Sequence, residues 1–171
     1  MIAIDNYPGG AAAQRRNAGP KGKAMDQNAM DPKSYAGRCF CGAVALVAKG
    51  SPEGMGFCHC ASCRAWAAAP VNAFTLWKSA SVTVTRGAEL VGVYHKTDSS
   101  YRQFCRACGG HIMTAHPKVD LVDVYAALLP SLPFVPQLHV HYQENVLPIA
   151  DALPKFKDLP GEMGGSGETV G

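Results

Sequence analysis

Nowhere does this chain carry the roughly 18 consecutive apolar residues that a membrane-spanning helix needs, and it has no dense block of lysine and arginine. The first absence argues against insertion in a membrane. The second goes with a modest balance of 16 basic against 13 acidic residues, a net charge of +3. That excess is too small to point to nucleic acid or an anionic membrane surface as a partner. Met1 to Ile4 is too short for the apolar core of a signal peptide, and polar, glycine-rich sequence follows. The compartment expected on that ground is the cytoplasm. Aromatic residues are few, at 8% of the chain, and no aromatic or basic stripe suggests a macromolecular partner. Cysteine is missing everywhere except in three tight clusters.

Those clusters read Cys39-Phe40-Cys41-Gly42, Cys58-His59-Cys60-Ala61-Ser62-Cys63 and Cys105-Arg106-Ala107-Cys108-Gly109. Seven thiols are an odd number, so a complete set of disulfides is excluded. Cysteines one or two residues apart are also poor bridge partners, because disulfide geometry is restrictive. In a reducing compartment, clustered cysteines ordinarily mean metal or redox chemistry. Soft, clustered thiolates select zinc, or less often an iron–sulfur cluster.

At 171 residues, 47% of them apolar, the chain suits one folded domain with a real core. Residues 1–33 lack any sustained apolar period and are expected to form a mobile arm. The folded domain is expected over residues 34–160, and the glycine-rich residues 161–171 as a flexible tail. Within the domain, residues 43–49, 71–77, 81–86, 90–96, 101–105, 121–128 and 138–142 are short runs that read as strands. Gly87, Ser99-Ser100, Gly109-Gly110 and the prolines at 130, 133 and 136 punctuate them. Only residues 62–69 suggest a helix. The fold class is therefore mainly β: antiparallel sheets with one short helix.

The clusters are not equivalent. In the first and third, glycine follows the second cysteine (Gly42, Gly109). A metal-binding knuckle turns the backbone sharply, and glycine supplies the positive φ such a turn often demands. Two knuckles of this kind form a closed tetrahedral site, which pairs Cys39 and Cys41 with Cys105 and Cys108 as ligands of a structural zinc. The middle cluster has three thiols and no such glycine. Three protein ligands leave a fourth position open, the mark of a catalytic zinc. Two plainer readings stand beside it: closure by a distant histidine (His95, His111 or His116), or reduced thiols without metal. His59, between two of the thiols, is expected to point away.

Taken together and in order, Cys-x-Cys-Gly, Cys-His-Cys-x-x-Cys-Arg and Arg-x-Phe-Cys-x-x-Cys-Gly resemble the glutathione-dependent formaldehyde-activating enzyme family, which includes centromere protein V. The resemblance runs from about Tyr35 to Phe156. It implies a zinc-binding β-tent with two zinc ions per chain, one structural and one labile and catalytic. It further implies a carbon–sulfur lyase related to S-(hydroxymethyl)glutathione synthase, acting on glutathione or a similar thiol and on formaldehyde or another small electrophile. Cys58, Cys60, Cys63 and Arg64 are then the catalytic residues, with Arg64 meeting a substrate carboxylate and Arg102 and Arg106 as weaker candidates. A homo-oligomer is compatible with this reading. The alternative is a non-catalytic zinc module with a structural or partner-binding role.

Two segments depart from the family pattern. Relatives carry a glycine soon after the Cys-Arg pair, whereas this chain has Ala65-Trp66-Ala67-Ala68-Ala69. Where relatives have Gly-x-Leu-Asp near the pocket, this chain has Ala127-Leu128-Leu129-Pro130. Other residues carry plain readings beside functional ones. Trp66 is core or pocket wall, and Phe74, Leu76 and Trp77 are core. His139 and His141 share a strand face as a structural pair or a second site. Asp120 and Asp123 are solvated carboxylates or general bases.

Overall fold

The computed structural model describes residues 33–170. The arm expected over residues 1–33 lies, but for Lys33, outside the described residues. Ten strands and one α-helix follow in chain order: β1 Ser34–Arg38, β2 Ala45–Lys49, β3 Gly54–Cys58, α1 Ala61–Ala67, β4 Asn72–Lys78, β5 Val82–Arg86, β6 Val91–Thr97, β7 Ser100–Cys105, β8 His111–His116, β9 Leu121–Tyr125 and β10 Leu138–Val140. They form a three-stranded sheet, β1-β2-β5, and a seven-stranded sheet, β10-β3-β4-β9-β8-β7-β6. The mainly β expectation with one short helix is met.

Period-2 alternation decides which face each residue occupies. On β2, Leu46 and Ala48 are buried together with the preceding Val44. On β9, Val122 and Val124 point the same way, and on β4 Thr75 and Trp77 do. These residues, with Ile112 and Leu129, make the main core. Trp77 is fully buried, and its Nε1 donates to Thr75 Oγ1 at 2.8 Å, so the core's largest side chain has no unsatisfied polar atom. Fully burying a side chain of this class contributes about 1.5–3 kcal/mol. The opposite face of the seven-stranded sheet carries a second, smaller cluster of Cys58, Phe74 and Val140, with Leu76, Leu138 and Leu159 packed against it. Phe74 and Leu76, expected in the main core, belong to this second face.

Three strands lacked a sequence signal: β1, β3 and β8. β3 reads Gly-Met-Gly-Phe-Cys, and its glycines serve close approach. A Cβ on Gly56 would lie 2.5 Å from the Leu138 carbonyl oxygen of β10. Among the described strands only the β10–β3 pairing is parallel, and β10 adds an isolated parallel bridge from His139 to Lys155. The strand expected over residues 121–128 stops at Tyr125 and passes into a 3-10 turn, Ala126–Leu128.

Residues 161–170, expected as a flexible tail, make specific contacts. The Gly167 N–H donates to the Leu159 carbonyl, Val170 N–H to the Lys155 carbonyl, and Lys157 pairs with Glu168 at 2.9 Å. Backbone hydrogen bonding, which composition does not report, holds this stretch against the body.

Candidate metal centres and active site

Both knuckles fold as the glycines suggest. Gly42 and Gly109 have φ of +76° and +72°. The Gly42 N–H donates to the Cys39 carbonyl at 2.9 Å, and the Gly109 N–H to the Cys105 carbonyl at 2.7 Å. Each turn thereby reverses the chain within four residues, and the Val44 N–H points at Cys39 Sγ at 3.3 Å. The sulfurs of Cys39, Cys41, Cys105 and Cys108 all lie within 4.8 Å of one another. Cys39 and Cys41 sulfurs are 3.7 Å apart, and Cys41 and Cys105 sulfurs 4.0 Å. A tetrahedron with metal–sulfur bonds of about 2.3 Å has edges of roughly 3.8 Å, so the donor set and its spacing fit a zinc ion. Backbone N–H groups, that of Gly110 foremost, hold the Cys108 thiol down to about 6.

Cys58, Cys60 and Cys63 form a second group with the same mutual limit of 4.8 Å. Cys58 ends β3, Cys60 is the residue before α1, and Cys63 lies in its first turn. Cys60 Sγ accepts the Cys63 N–H at 3.2 Å, so the thiol caps the helix. Hydrogen bonds from Cys58 and then Cys63 push Cys60 far down, while those with Cys60 and Cys63 drive Cys58 up. Among the described residues no histidine joins either thiol group; His95 packs at a tilt against Tyr101, and His111 stacks on Trp66.

Of the four-thiol group Cys39 alone lines a neighbouring cleft, whereas all three cysteines of the three-thiol group line a cavity of about 290 Å³, walled also by Phe74, Leu76, Leu121, Val140, Leu159 and Met163. His116, His141 and Asp123 are its other polar residues. The volume sits near the lower end of the roughly 300–1,000 Å³ typical of small-molecule sites. Leu159 and Met163 come from the C-terminal stretch, so the folded-back segment completes the wall.

The loop that carries the triad is braced from behind. His59 is fully buried and turned away from the thiols: its Nε2 shares a hydrogen bond with His139 Nδ1 at 2.8 Å. His139 Nε2 in turn meets Asp151 Oδ2 at 2.9 Å. Arg64 Nε donates to the His59 carbonyl at 2.9 Å, and Glu144 accepts the Ala61 N–H at 2.8 Å. The histidine pair read from the sequence was His139 with His141. The structure pairs His139 with His59 instead, because His141 lies past the strand end at φ +53° and turns to the cavity.

Trp66 does not line the three-thiol cavity. It stacks on His111 at 4.3 Å, under the Arg102 guanidinium, beside a separate shallow cleft. The divergent segment at 127–130 is also elsewhere. Leu129 is core, and Ala127, Leu128 and Pro130 wall a cleft beside the four-thiol group with Arg38, Phe40 and His111. Arg106 is exposed. Arg102, by contrast, is buried, with Nη2 3.0 Å from Ser62 Oγ and 3.8 Å from Cys63 Sγ.

Comparison with known proteins agrees with the motifs. The sequence model described as glutathione-dependent formaldehyde-activating enzyme matches residues 34–144. An uncharacterized lyase of Schizosaccharomyces pombe is 34% identical over 82 residues, which cover 48% of this chain and 58% of that protein; the match thus spans little more than half of the relative's length. Among solved structures, a Rhodobacter sphaeroides protein aligns at 24% identity with a TM-score of 0.49, over 57% of this chain and 89% of that one.

Proposed function

Because this chain belongs to the glutathione-dependent formaldehyde-activating enzyme family, we propose that it is a zinc-dependent carbon–sulfur lyase joining a thiol such as glutathione to formaldehyde or another small electrophile, and reversing that step. The observation that carries the reading is the contrast between the two thiol groups. Four thiols close a coordination sphere, and three stand at the wall of a cavity large enough for a small substrate. A purely structural module gains nothing from an incomplete ligand set facing such a cavity.

In this reading Cys39, Cys41, Cys105 and Cys108 hold a structural zinc that ties the β1–β2 knuckle to the β7–β8 knuckle. Cys58, Cys60 and Cys63 hold the second. Zinc there would keep a bound thiol sulfur deprotonated near neutral pH. The chain's own residues do the rest. Phe74, Leu76 and Val140 exclude water from the reacting atoms. The His59–His139–Asp151 chain fixes the Cys58–Cys60 loop from behind. Arg64 braces the same loop through Nε and leaves the outer edge of its guanidinium to meet a substrate carboxylate.

The test combines zinc content, measured with and without glutathione, with exchange NMR of formaldehyde–glutathione adduct formation. About two zinc ions per chain, one of them labile and perturbed by glutathione, with faster adduct exchange, is the expected result. Two tightly held ions and unaccelerated exchange would leave the non-catalytic zinc module as the better reading.

A further inference from the structure

The seven-stranded sheet places one polar row under the triad. Arg102 on β7 pairs with Thr114 on β8, which pairs with Asp123 on β9, which pairs with Leu76 on β4. Directly paired residues share a face, and Leu76 and Asp123 both line the three-thiol cavity. Arg102 reaches the same triad through Ser62 and Cys63. Two atoms in this row have no hydrogen-bond partner and no contact with solvent: Arg102 Nε and Asp123 Oδ1. Buried polar atoms without a partner are costly, which sets these two apart from the rest of the row.

The other polar residues of the cavity are already engaged. His116 Nδ1 meets the Ser99 carbonyl at 3.2 Å, and His141 leans on Glu144 at 3.7 Å. Asp120, the other carboxylate singled out in the sequence, does not line the cavity: it closes the turn after β8 at φ +53°. Asp123 is the one carboxylate residue that lines this cavity, and its Oδ1 is shielded from solvent without a hydrogen-bond partner.

We propose that Asp123 is the proton carrier of the reaction, taking the proton of the incoming thiol and returning it to the oxygen of the electrophile. This rests on the thiol–aldehyde reading above. The step balances. The thiol S–H bond breaks and its proton passes to the Asp123 carboxylate. The sulfur electron pair forms the S–C bond, the carbonyl π pair moves to oxygen, and that oxygen takes the same proton back. The carboxylate is regenerated, and neither oxidant nor reductant is required. In the reverse direction Asp123 removes the hydroxyl proton and protonates the departing sulfur. Burial raises Asp123 to about 7, against the opposing pull of Arg102 and with the negative charge of Cys60 adding to the rise. A carrier with that affinity both accepts and releases a proton near neutral pH. The groups facing it are Arg102 from β7, His116 from β8, Tyr125 on its own strand, Cys60 and Cys63 from the α1 end, and His141 from beyond β10.

The test is titration calorimetry of glutathione into the zinc-loaded protein at pH 7, in two buffers of different ionisation enthalpy, which counts protons released. The native protein is expected to release fewer protons than Asp123→Asn, by up to about half a proton, because the bound thiolate raises the proton affinity of a half-ionised Asp123 further. Asp120→Asn should behave as native. Asp123→Asn should keep both zinc ions and lose about 10²-fold in the rate of adduct exchange. Equal proton release by native protein and Asp123→Asn overturns the proposal. A second measurement needs no variant: infrared difference spectra of the native protein should gain a carboxylic-acid C=O band on glutathione addition, and its absence also overturns it. If protons are retained but formaldehyde exchange is not accelerated, the electrophile has been misread and the proton assignment stands. If exchange is accelerated and Asp123→Asn releases no more protons than native, the assignment alone falls.

Discussion

His59 and His139, 80 residues apart in the chain, share a buried hydrogen bond of 2.8 Å, and the second nitrogen of His139 continues it to Asp151. His59 sits between two of the triad cysteines, so this chain of bonds sets where Cys58 and Cys60 stand. Phe57 stacks on the His139 ring at 5.0 Å and holds it in plane. The protein thus orients its three-thiol loop from the side opposite the cavity.

Replacing His139 with alanine strips the partner from His59 Nε2 and from Asp151 Oδ2. Leaving buried polar groups unpaired should cost about 2–3 kcal/mol, read as a lower urea midpoint with unchanged slope. Zinc should also leave the triad about 10–100-fold faster to a chelator, while the four-thiol site keeps its ion.

Cysteine variants should separate the two sites. Cys105→Ser removes a fully buried ligand that joins distant strands, so loss of near-UV circular dichroism and of cooperative unfolding is expected. Cys60→Ser should keep the fold and lose one zinc ion of two, as metal analysis would record. Retention of both ions by Cys60→Ser would refute the triad as a metal site.

Asp123 sets a pH dependence of stability. Its folded value, raised to about 7 by burial, exceeds the ordinary carboxylate value of 3.8 expected when unfolded. Between those values the native protein holds a proton that the unfolded chain gives up, so stability falls as pH rises through that window and stays reduced above it. Asp123→Asn removes the effect. It should be more stable than the native protein by about 1–3 kcal/mol at pH 8, a gain that shrinks toward pH 5.5 in chemical denaturation. A carboxylate that costs stability in this way is consistent with a residue kept for chemistry.

Ala68 ends α1 in the left-handed region, at φ +49° and ψ +41°, with its N–H donated to the Arg64 carbonyl. Glycine takes that conformation without a Cβ clash and is the usual residue there. Ala68→Gly should therefore stabilise the protein by about 0.5–1 kcal/mol, seen as a higher urea midpoint. The alanine-rich segment after Arg64 thus carries a local strain at Ala68, away from the three-thiol cavity.

The metal knuckles were legible because their geometry is local. Two cysteines and a glycine within four residues can be turned only in a few ways, and the positive φ of Gly42 and Gly109 follows from sequence alone. The strands with β-branched alternation, such as β2 and β9, were legible for the same reason. β3 was not. Its glycines look like a loop until Leu138 comes within 2.5 Å of where a Gly56 side chain would start. The ordered C-terminal stretch was equally hidden, since glycines that fray in one context close tight turns in another.

Asp123 marks the boundary between the two kinds of knowledge. Alternation with Val122 and Val124 already placed it opposite the main core, and a carboxylate on such a face reads as solvated. What covers that face comes from far away in the chain: Cys58 and Cys63, Val140, Leu159 and Met163. Sequence by itself determined the seven thiols, their division into four and three, and the β pattern, because spacing and periodicity are properties of neighbouring residues. Only the tertiary structure decided that the three thiols and Asp123 line a single cavity. Burial and desolvation depend on contacts between segments a hundred residues apart, which no local pattern encodes.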